Sequence, residues 1–238
     1  MPEKVIMDNL RSVSADEFRQ MGIKFFANEC GSQKKYLVWW SPKEDFANFG
    51  VGHFIWLPAG SRLPFVEQFP ELIAFYLEKN EPVPEFIDRH KMTGCPWKSK
   101  TDLDYDPVKD EIIEWLASTT YIQAGFILFK AMDSIKEILN KNPHVADKLK
   151  ALSASRQGRF AVVDYLNFKG TGLDPKERIR GEGWGLLQVL ENMKLPDLEN
   201  FIRSAEETLT RRVNNYTEDW NDLTFLNGWL KRIDGYSI

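Results

Sequence analysis

The chain has 238 residues, of which 43% are hydrophobic and 28% charged, and its formal net charge is −4. This size and composition are typical of a globular protein with a substantial core, built as one large domain or two modest ones. Basic and acidic residues are mixed along the whole length, so the sequence shows no basic patch of the kind that binds nucleic acid. Aromatic residues make up 13% and suit a large core, a sugar-stacking cleft, or both.

The N-terminal segment, MPEKVIMDNL, lacks the apolar core of a signal peptide. No run approaches about 18 consecutive apolar residues, so we expect no integral membrane segment. The expected location is the cytoplasm, or the periplasm or cell exterior if a signal peptide has been removed. The sequence leaves the oligomeric state open.

Cys30 and Cys95 are the two cysteines of the chain, and their spacing is not that of a metal site. Two buried free thiols and one disulfide bond are equally compatible with the sequence. A disulfide would favour an oxidising compartment.

The first helix is predicted from the segment SADEFRQMGIKFFANEC. Ser14 and Glu17 have the spacing of a capping box, and apolar residues then recur at near-helical intervals. We expect this helix to end near Cys30, with Gly31 as its stop.

A β-hairpin is predicted next, from the strand YLVWW, the polar turn SPKED and the returning strand FANFGVGHF. The segment FVEQFPELIAFYLEKN is expected to be helical. A long proline-containing connection, EPVPEFIDRHKMTGCPWKSKTDLDYDP, follows it.

From Pro107 onward the pattern is helical. The predicted helices lie in VKDEIIEWLASTTYIQAGFILFKAMDSIKEILNKN, HVADKLKALSAS, RFAVVDYLNFKGTG, GWGLLQVLENM, LENFIRSAEETLTRRVNN and WLKRIDGY. One hairpin followed by many helices indicates an α+β fold, with two lobes joined near residues 75–110.

Two glycines, Gly50 and Gly52, stand in the predicted returning strand. Residues two apart in a strand share a face, so these glycines are expected to leave one face bare. A bare strand face is typical of a bulge, a bend or the close approach of a ligand or another backbone. Phe49, Val51 and His53 are then expected to point to the opposite face, inward.

The order of these elements resembles the phage-type lysozymes, glycoside hydrolases that cut the glycan strands of bacterial peptidoglycan. The resemblance rests on Glu29 at a helix end, the hairpin YLVWWSPKEDFANF and the GVGH motif at residues 50–53. Later, VVDYLNFKGTG is similar to the central helix of that family, and FIRSAEETLTRRVNN with GWLKRIDGY to its final helices.

The resemblance implies one mostly helical lysozyme-like α+β domain over residues 1–238. Its small hairpin lobe would cover about 31–75, and its larger helical lobe would cover about 105–238 and pack with the N-terminal helix 14–30. The cleft of such a domain lies between the lobes, and no metal or organic cofactor is implied.

Glu29 is the candidate general acid. Glycoside hydrolysis needs a carboxylic acid beside the leaving oxygen, kept protonated by apolar surroundings. Glu29 follows the apolar segment IKFFAN, ends a helix whose negative dipole end disfavours a carboxylate, and precedes the aromatic strand YLVWW. An exposed helix-end carboxylate is the alternative interpretation.

The second catalytic group departs from the family pattern. An Asp is expected near Ser41 or Pro42, where this chain has no carboxylate, and Asn48 stands where the family has Thr. Glu44 could take the carboxylate's role if the turn folds back, with Asn48 orienting a water through its amide. Exposed turn charge is an equally open interpretation of Glu44.

The other candidate site residues are expected to bind substrate or to support the site. His53 is expected to be structural, as its counterpart is in the resembled family. In addition to Gly50 and Gly52, the predicted substrate-binding residues are Trp40, Asn167, Glu182, Trp184 and Gln188. The histidines have no partner pattern for zinc or for a Ser/His pair, so no metal site is predicted.

The sequence therefore predicts a muramidase-like hydrolase that cleaves β-1,4 linkages of peptidoglycan or a related amino-sugar polymer. A non-catalytic glycan-binding or peptidoglycan-binding protein on the same scaffold is one alternative. A chitosan or chitin hydrolase is another, which the mildly acidic balance permits because chitosan is cationic.

Overall fold

The computed structural model describes residues 2–215 and 223–237. It is mostly helical, and its described strands form one small antiparallel sheet, which confirms the α+β class. The helices are α1 (Pro2–Arg11), α2 (Ala15–Cys30), α3 (Phe69–Glu78), α4 (Glu85–His90), α5 (Lys100–Tyr105), α6 (Val108–Ser118), α7 (Thr120–Lys141), α8 (Ala146–Ser153), α9 (Arg156–Lys169), α10 (Leu186–Asn192), α11 (Leu198–Asn215) and α12 (Leu223–Asp234). The strands are β1 (Val38–Trp39), β2 (Ala47–Phe49) and β3 (Phe54–Trp56).

The chain divides into two compact units. The sheet unit is Ala15–Phe126, and the helical unit is Met1–Ser14 together with Ile127–Ile238. The boundary therefore falls inside α7, not near residues 75–110, and α2 groups with the sheet and not with the helical lobe. The single-domain organisation over 1–238 stays a prediction.

Helix α2 matches its predicted extent closely. It runs from Ala15 to Cys30, and Gly31 after it has φ +54°. Glycine adopts this left-handed conformation at no steric cost, which ends the helix. Met21, Phe25 and Cys30 are buried.

The sheet differs from the predicted two-strand hairpin. Residues 34–37 form a 3₁₀ turn, so β1 is only two residues long. The predicted returning strand is broken after Phe49 by a turn at residues 50–53, and β3 begins at Phe54. The expectation that Gly50 and Gly52 share a strand face was therefore wrong, because neither lies in a strand.

Aromatic side chains form the core of the sheet unit. Phe49 of β2 lies 5.4 Å from the Trp56 ring and 4.5 Å from the Phe69 ring, centroid to centroid. Trp97 packs on Phe49 from the proline-containing connection, which also holds the short helices α4 and α5. Full burial of an aromatic side chain contributes about 1.5–3 kcal/mol, so this cluster anchors β2 and β3.

Helices α6 and α7 were predicted as one helical segment. The structure separates them at Thr119, where the hydroxyl donates to the Trp115 carbonyl at 2.7 Å. The two axes differ by 69°. Within residues 2–215 and 223–237 no single helix is long and apolar enough to cross a membrane, although this bent pair passes the length and composition test when combined.

Helix α9 is the centre of the helical unit. Its Asp164 is fully buried and accepts two hydrogen bonds from the Arg232 guanidinium of α12, each 2.8 Å long. The Tyr236 hydroxyl donates to the same carboxylate at 2.6 Å. Because a buried carboxylate is costly unless paired and hydrogen-bonded, these contacts fix the C-terminal segment against α9.

Helix α1 was not predicted. It buries Ile6, Met7 and Leu10, and it packs on α8, where Asn9 Nδ2 donates to Ser153 Oγ at 3.0 Å. A ten-residue helix is marginal in isolation, so its stability comes from this tertiary contact.

Candidate functional site

The GVGH motif forms a tight turn at residues 50–53. The Gly50 N–H donates to the Leu37 carbonyl at 2.7 Å, and the His53 N–H closes the turn on the Gly50 carbonyl at 3.2 Å. Gly50 has φ +71° and His53 has φ +48°. A left-handed conformation is uncommon outside glycine, although histidine is among the residues that adopt it more often.

Gln123 of α7 holds this turn. Its Oε1 accepts from the Val51 N–H at 2.8 Å, and its Nε2 donates to the Leu116 carbonyl at 2.7 Å. The side chain is fully buried. Sequence reasoning missed Gln123; the available signal was a polar residue inside the apolar run YIQAGFILF, since a buried amide requires partners.

The space beside the two glycines is occupied by the protein's own side chains. A Cβ at Gly50 would lie 2.4 Å from Gln123 Oε1, and a Cβ at Gly52 would lie 2.4 Å from the Phe54 ring. The close approach expected at these positions is therefore intramolecular. Substrate contact by Gly50 and Gly52 stays a prediction, but the bare strand face on which it was based is not present.

Trp40 is a core residue. Its side chain is only 4% exposed, and its Nε1 donates to the Glu44 carbonyl at 2.7 Å. A ring buried to this extent offers almost no face for stacking a sugar, so the structure contradicts the predicted role of Trp40 in binding substrate. Its contact instead fixes the loop between β1 and β2.

Glu29 is the penultimate residue of α2. Its side chain is 16% exposed, and its Oε2 lies 3.8 Å from His53 Nδ1. The structure thus brings together the two residues that the sequence placed at a helix end and in the GVGH motif. Glu29 is therefore not the exposed helix-end carboxylate that the sequence left open as an alternative.

Cys30 lies on the other side of the same imidazole. His53 Nε2 is 3.9 Å from Cys30 Sγ. Burial, and secondly the neighbouring Glu29 carboxylate, raise the pKa of the Cys30 thiol to about 12. Both cysteines of the chain are buried free thiols, so the structure supports the first of the two interpretations left open by the sequence.

Glu44 and Asn48 also contact each other. Asn48 Nδ2 donates to Glu44 Oε2 at 3.0 Å. Asn48 is the middle residue of β2 and pairs with Trp39 on one side and Ile55 on the other, so its position is set by the sheet register. Glu44 is exposed in the β1–β2 loop.

In the helical unit, residues 170–185 form a loop that contains five glycines and is closed at its base. The Leu186 N–H donates to the Gly170 carbonyl and the Leu187 N–H to the Thr171 carbonyl, both at 3.0 Å. A Cβ at Gly185 would lie 2.1 Å from the Gly172 backbone nitrogen. The glycines therefore permit two backbone segments to cross in contact.

Gln188 is part of this closure. Its Oε1 accepts from the Gly185 N–H, its Nε2 donates to the Gly172 carbonyl, each at 3.0 Å, and the side chain is buried. The predicted substrate contact of Gln188 is thus replaced by a structural role. The sequence signal for this role was the run of glycines that precedes a polar residue in an apolar helix.

Three other predicted residues of the helical unit lie near the loop or the end of α9. Glu182 pairs with Arg211 at 2.6 Å and borders an open pocket of about 240 Å³. Trp184 is half-buried beneath the Arg212 guanidinium, 4.2 Å from its ring centroid. Asn167 is half-buried in the last turn of α9. Their roles in binding stay predictions.

Comparison of the chain with protein-family models, with curated proteins and with solved structures finds no match. Among residues 2–215 and 223–237 no group of three or more His, Cys, Asp or Glu side chains could hold a metal ion. The best-defined candidate site is the arrangement of Glu29, His53 and Cys30 in the sheet unit. The Glu44–Asn48 pair belongs to the same unit, and its part in the site stays a prediction.

Proposed function

We propose that this protein is a lysozyme-like glycoside hydrolase that cleaves β-1,4 linkages of peptidoglycan or a related amino-sugar polymer. The observation that carries the proposal is the placement of Glu29, a half-buried carboxyl group at a helix end, 3.8 Å from the histidine of the GVGH turn. This combination of helix end and glycine-containing turn is the feature on which the family resemblance rests.

Glu29 acts as the general acid in this proposal. An oxocarbenium-like transition state forms when the leaving oxygen receives a proton, and a partly buried carboxylic acid is suited to supply it. The side chain keeps 16% exposure, so it is not fully enclosed by the protein. The chemistry requires no metal or organic cofactor.

Glu44 and Asn48 act on the attacking water. The Asn48 amide nitrogen is engaged by Glu44 at 3.0 Å, so the amide oxygen is the atom that can accept a hydrogen bond from water. The Glu44 carboxylate supplies the negative charge that favours an oxocarbenium-like transition state. In this proposal the second carboxylate comes from the β1–β2 loop and not from the position used in the resembled family.

The experiment that tests the proposal measures clearing of a peptidoglycan suspension and the release of reducing ends. The Glu29→Gln variant is expected to lose about 10²- to 10⁴-fold in rate, the usual contribution of a general acid. Glu78→Gln is the matched control, because Glu78 also ends a helix of the sheet unit but is 67% exposed. Circular dichroism should show the same helical signal for both variants and the wild type.

Binding and turnover are measured separately in the same samples. Co-sedimentation with insoluble peptidoglycan reports binding, and reducing ends report cleavage. Binding without cleavage, unchanged in Glu29→Gln, would replace the enzyme with a non-catalytic glycan-binding protein. A parallel assay on chitosan identifies the polymer, because cleavage of chitosan alone would retain the glycosidase and change its substrate.

A further inference from the structure

His53 adopts an unusual backbone conformation at the candidate site. Its φ of +48° lies in the left-handed region, where a non-glycine residue is strained by about 1–3 kcal/mol. Positions 50 and 52 of the same turn are glycine, whereas position 53 is histidine. Strain retained at one position of a turn points to a function of the side chain.

The imidazole of His53 lies between two consecutive residues at the end of α2. Nδ1 is 3.8 Å from Glu29 Oε2, and Nε2 is 3.9 Å from Cys30 Sγ. The imidazole is 35% exposed on a side-chain basis, and Cys30 is buried. The ring therefore has one nitrogen toward a buried thiol and the other toward the carboxyl group.

The state of the Cys30 thiol favours one tautomer of His53. Burial raises the pKa of Cys30 to about 12, so the sulfur keeps its proton near neutral pH. A protonated thiol can donate a hydrogen bond, and an unprotonated imidazole nitrogen is the atom of the ring that can accept it. With Cys30 as the donor, Nε2 accepts and Nδ1, which faces Glu29, carries the ring proton.

From this geometry we infer that His53 is a positioning residue for Glu29, held by Cys30 and directing its Nδ1–H toward the Glu29 carboxyl group. The inference rests on the proposed function, because it assigns a role in setting the general acid. The separation of 3.8 Å is longer than a hydrogen bond, and the inference therefore requires the contact to shorten in the substrate complex, as catalytic hydrogen bonds often do.

Two substitutions separate this role from a structural one. His53→Gly relieves the left-handed backbone and removes the imidazole, so the fold should be retained with an unchanged or higher thermal midpoint. In His53→Asn, asparagine can adopt the same left-handed backbone, and its side-chain amide places an N–H about where Nδ1 of the histidine lies. Glycine is therefore the loss variant and asparagine the rescue variant.

The kinetic arm uses soluble peptidoglycan fragments. His53→Gly is expected to lower kcat about 10- to 100-fold, the cost of a misplaced catalytic group, with KM within about twofold of wild type. His53→Asn is expected to recover most of that loss. Wild-type kcat in His53→Gly, or no recovery in His53→Asn, would overturn the inference.

The spectroscopic arm does not depend on any substrate. Nitrogen NMR of protein labelled with ¹⁵N-histidine is expected to show the Nδ1–H tautomer of His53. Cys30→Ala should shift Nε2 and Glu29→Gln should shift Nδ1, whereas His144, which contacts Glu191 at 3.1 Å, should not move. An Nε2–H tautomer, or a His53 signal unaffected by Glu29→Gln, would overturn the inference.

The two arms also separate the inference from the proposed function. If the wild type cleaves no glycan, the proposed hydrolase fails. The NMR shifts then decide on their own whether His53 orients Glu29. If glycan is cleaved but the shifts and the rescue are absent, the hydrolase stands and the role of His53 as a positioning residue is rejected.

Discussion

The Gln123 side chain accepts a hydrogen bond from the Val51 backbone N–H at 2.8 Å, although the two residues are 72 positions apart. Both are fully buried. The same amide reaches the Leu116 carbonyl at 2.7 Å, so one side chain connects the 50–53 turn with the end of α6. The position of His53 beside Glu29 depends on this connection.

Replacing Gln123 with leucine tests the connection. Gln123→Leu leaves the buried Val51 N–H without its acceptor, which is expected to lower the free energy of unfolding by about 1–3 kcal/mol. Urea denaturation measures the change. Gln20→Leu is the control, because Gln20 is exposed on α2, and it should stay within about 0.5 kcal/mol of wild type. Equal stability of the two variants would contradict the bridging role of Gln123.

Gly50 combines a left-handed backbone with crowding, whereas Gly60 shows the backbone effect alone. Gly60 has φ +81° and open space around an added Cβ; Gly50 has φ +71° and Gln123 Oε1 at 2.4 Å. Gly60→Ala is expected to cost about 1 kcal/mol from the left-handed backbone. Gly50→Ala should cost about 3 kcal/mol, because overpacking adds to that strain.

Thermal and urea unfolding of these two alanine variants measure the difference. The interpretation of the turn requires the larger loss at position 50. A loss at position 60 that equals or exceeds it would mean that contact with Gln123 places no constraint on the turn.

The sequence predicted helix α2 well because its signals are local. The capping-box spacing of Ser14 and Glu17 and the stop at Gly31 act within a few residues of the helix ends, and the observed helix is Ala15–Cys30. Helix α1 was missed because ten residues carry little helical preference of their own and depend on packing against α8.

The turn at residues 50–53 could not be predicted from the strand pattern. FANFGVGHF has the alternation of one strand, but the buried amide of Gln123 and the Leu37 carbonyl bind its backbone and bend it. These partners are distant in sequence, and pattern reasoning considers only neighbours. The pairing of Glu29 with His53 was nevertheless accessible, since both belong to the motif that carries the family resemblance.

The role of Gln188 in closing the glycine-rich loop is tested by proteolysis. Gln188→Leu removes the bonds to the Gly172 carbonyl and the Gly185 N–H, so the loop base should open more often. Trypsin can cut after the exposed residues Lys176, Arg178 and Arg180 of this loop. Cleavage should accelerate about tenfold for each 1.4 kcal/mol of lost local stability.

Gln157→Leu is the control for that experiment, because Gln157 is exposed on α9 of the same unit. Mass spectrometry of the first fragments identifies the cut sites. Unchanged cleavage of the loop in Gln188→Leu would show that the backbone bonds of Leu186 and Leu187 hold the loop base without the glutamine.

The two buried thiols predict how stability depends on alkaline pH. Burial raises the pKa of Cys30 and of Cys95 from an ordinary value of 9.0 to about 12. Well below pH 9 the folded and unfolded chains both keep the thiol protons, so these groups add no pH dependence there. Above pH 9 the unfolded chain releases them first, and the free energy of unfolding falls as pH rises.

A comparison with a variant that lacks both thiols isolates their contribution, because the pKa of Tyr76, Tyr165 and Tyr236 is also raised by burial and these tyrosines titrate in both proteins. Each thiol contributes a slope of at most about 1.4 kcal/mol per pH unit. The double variant Cys30→Ala with Cys95→Ala should therefore show a flatter pH dependence than wild type. Urea unfolding under reducing conditions at several pH values measures both slopes, and parallel slopes would show that the thiols ionise equally in the folded and unfolded chains.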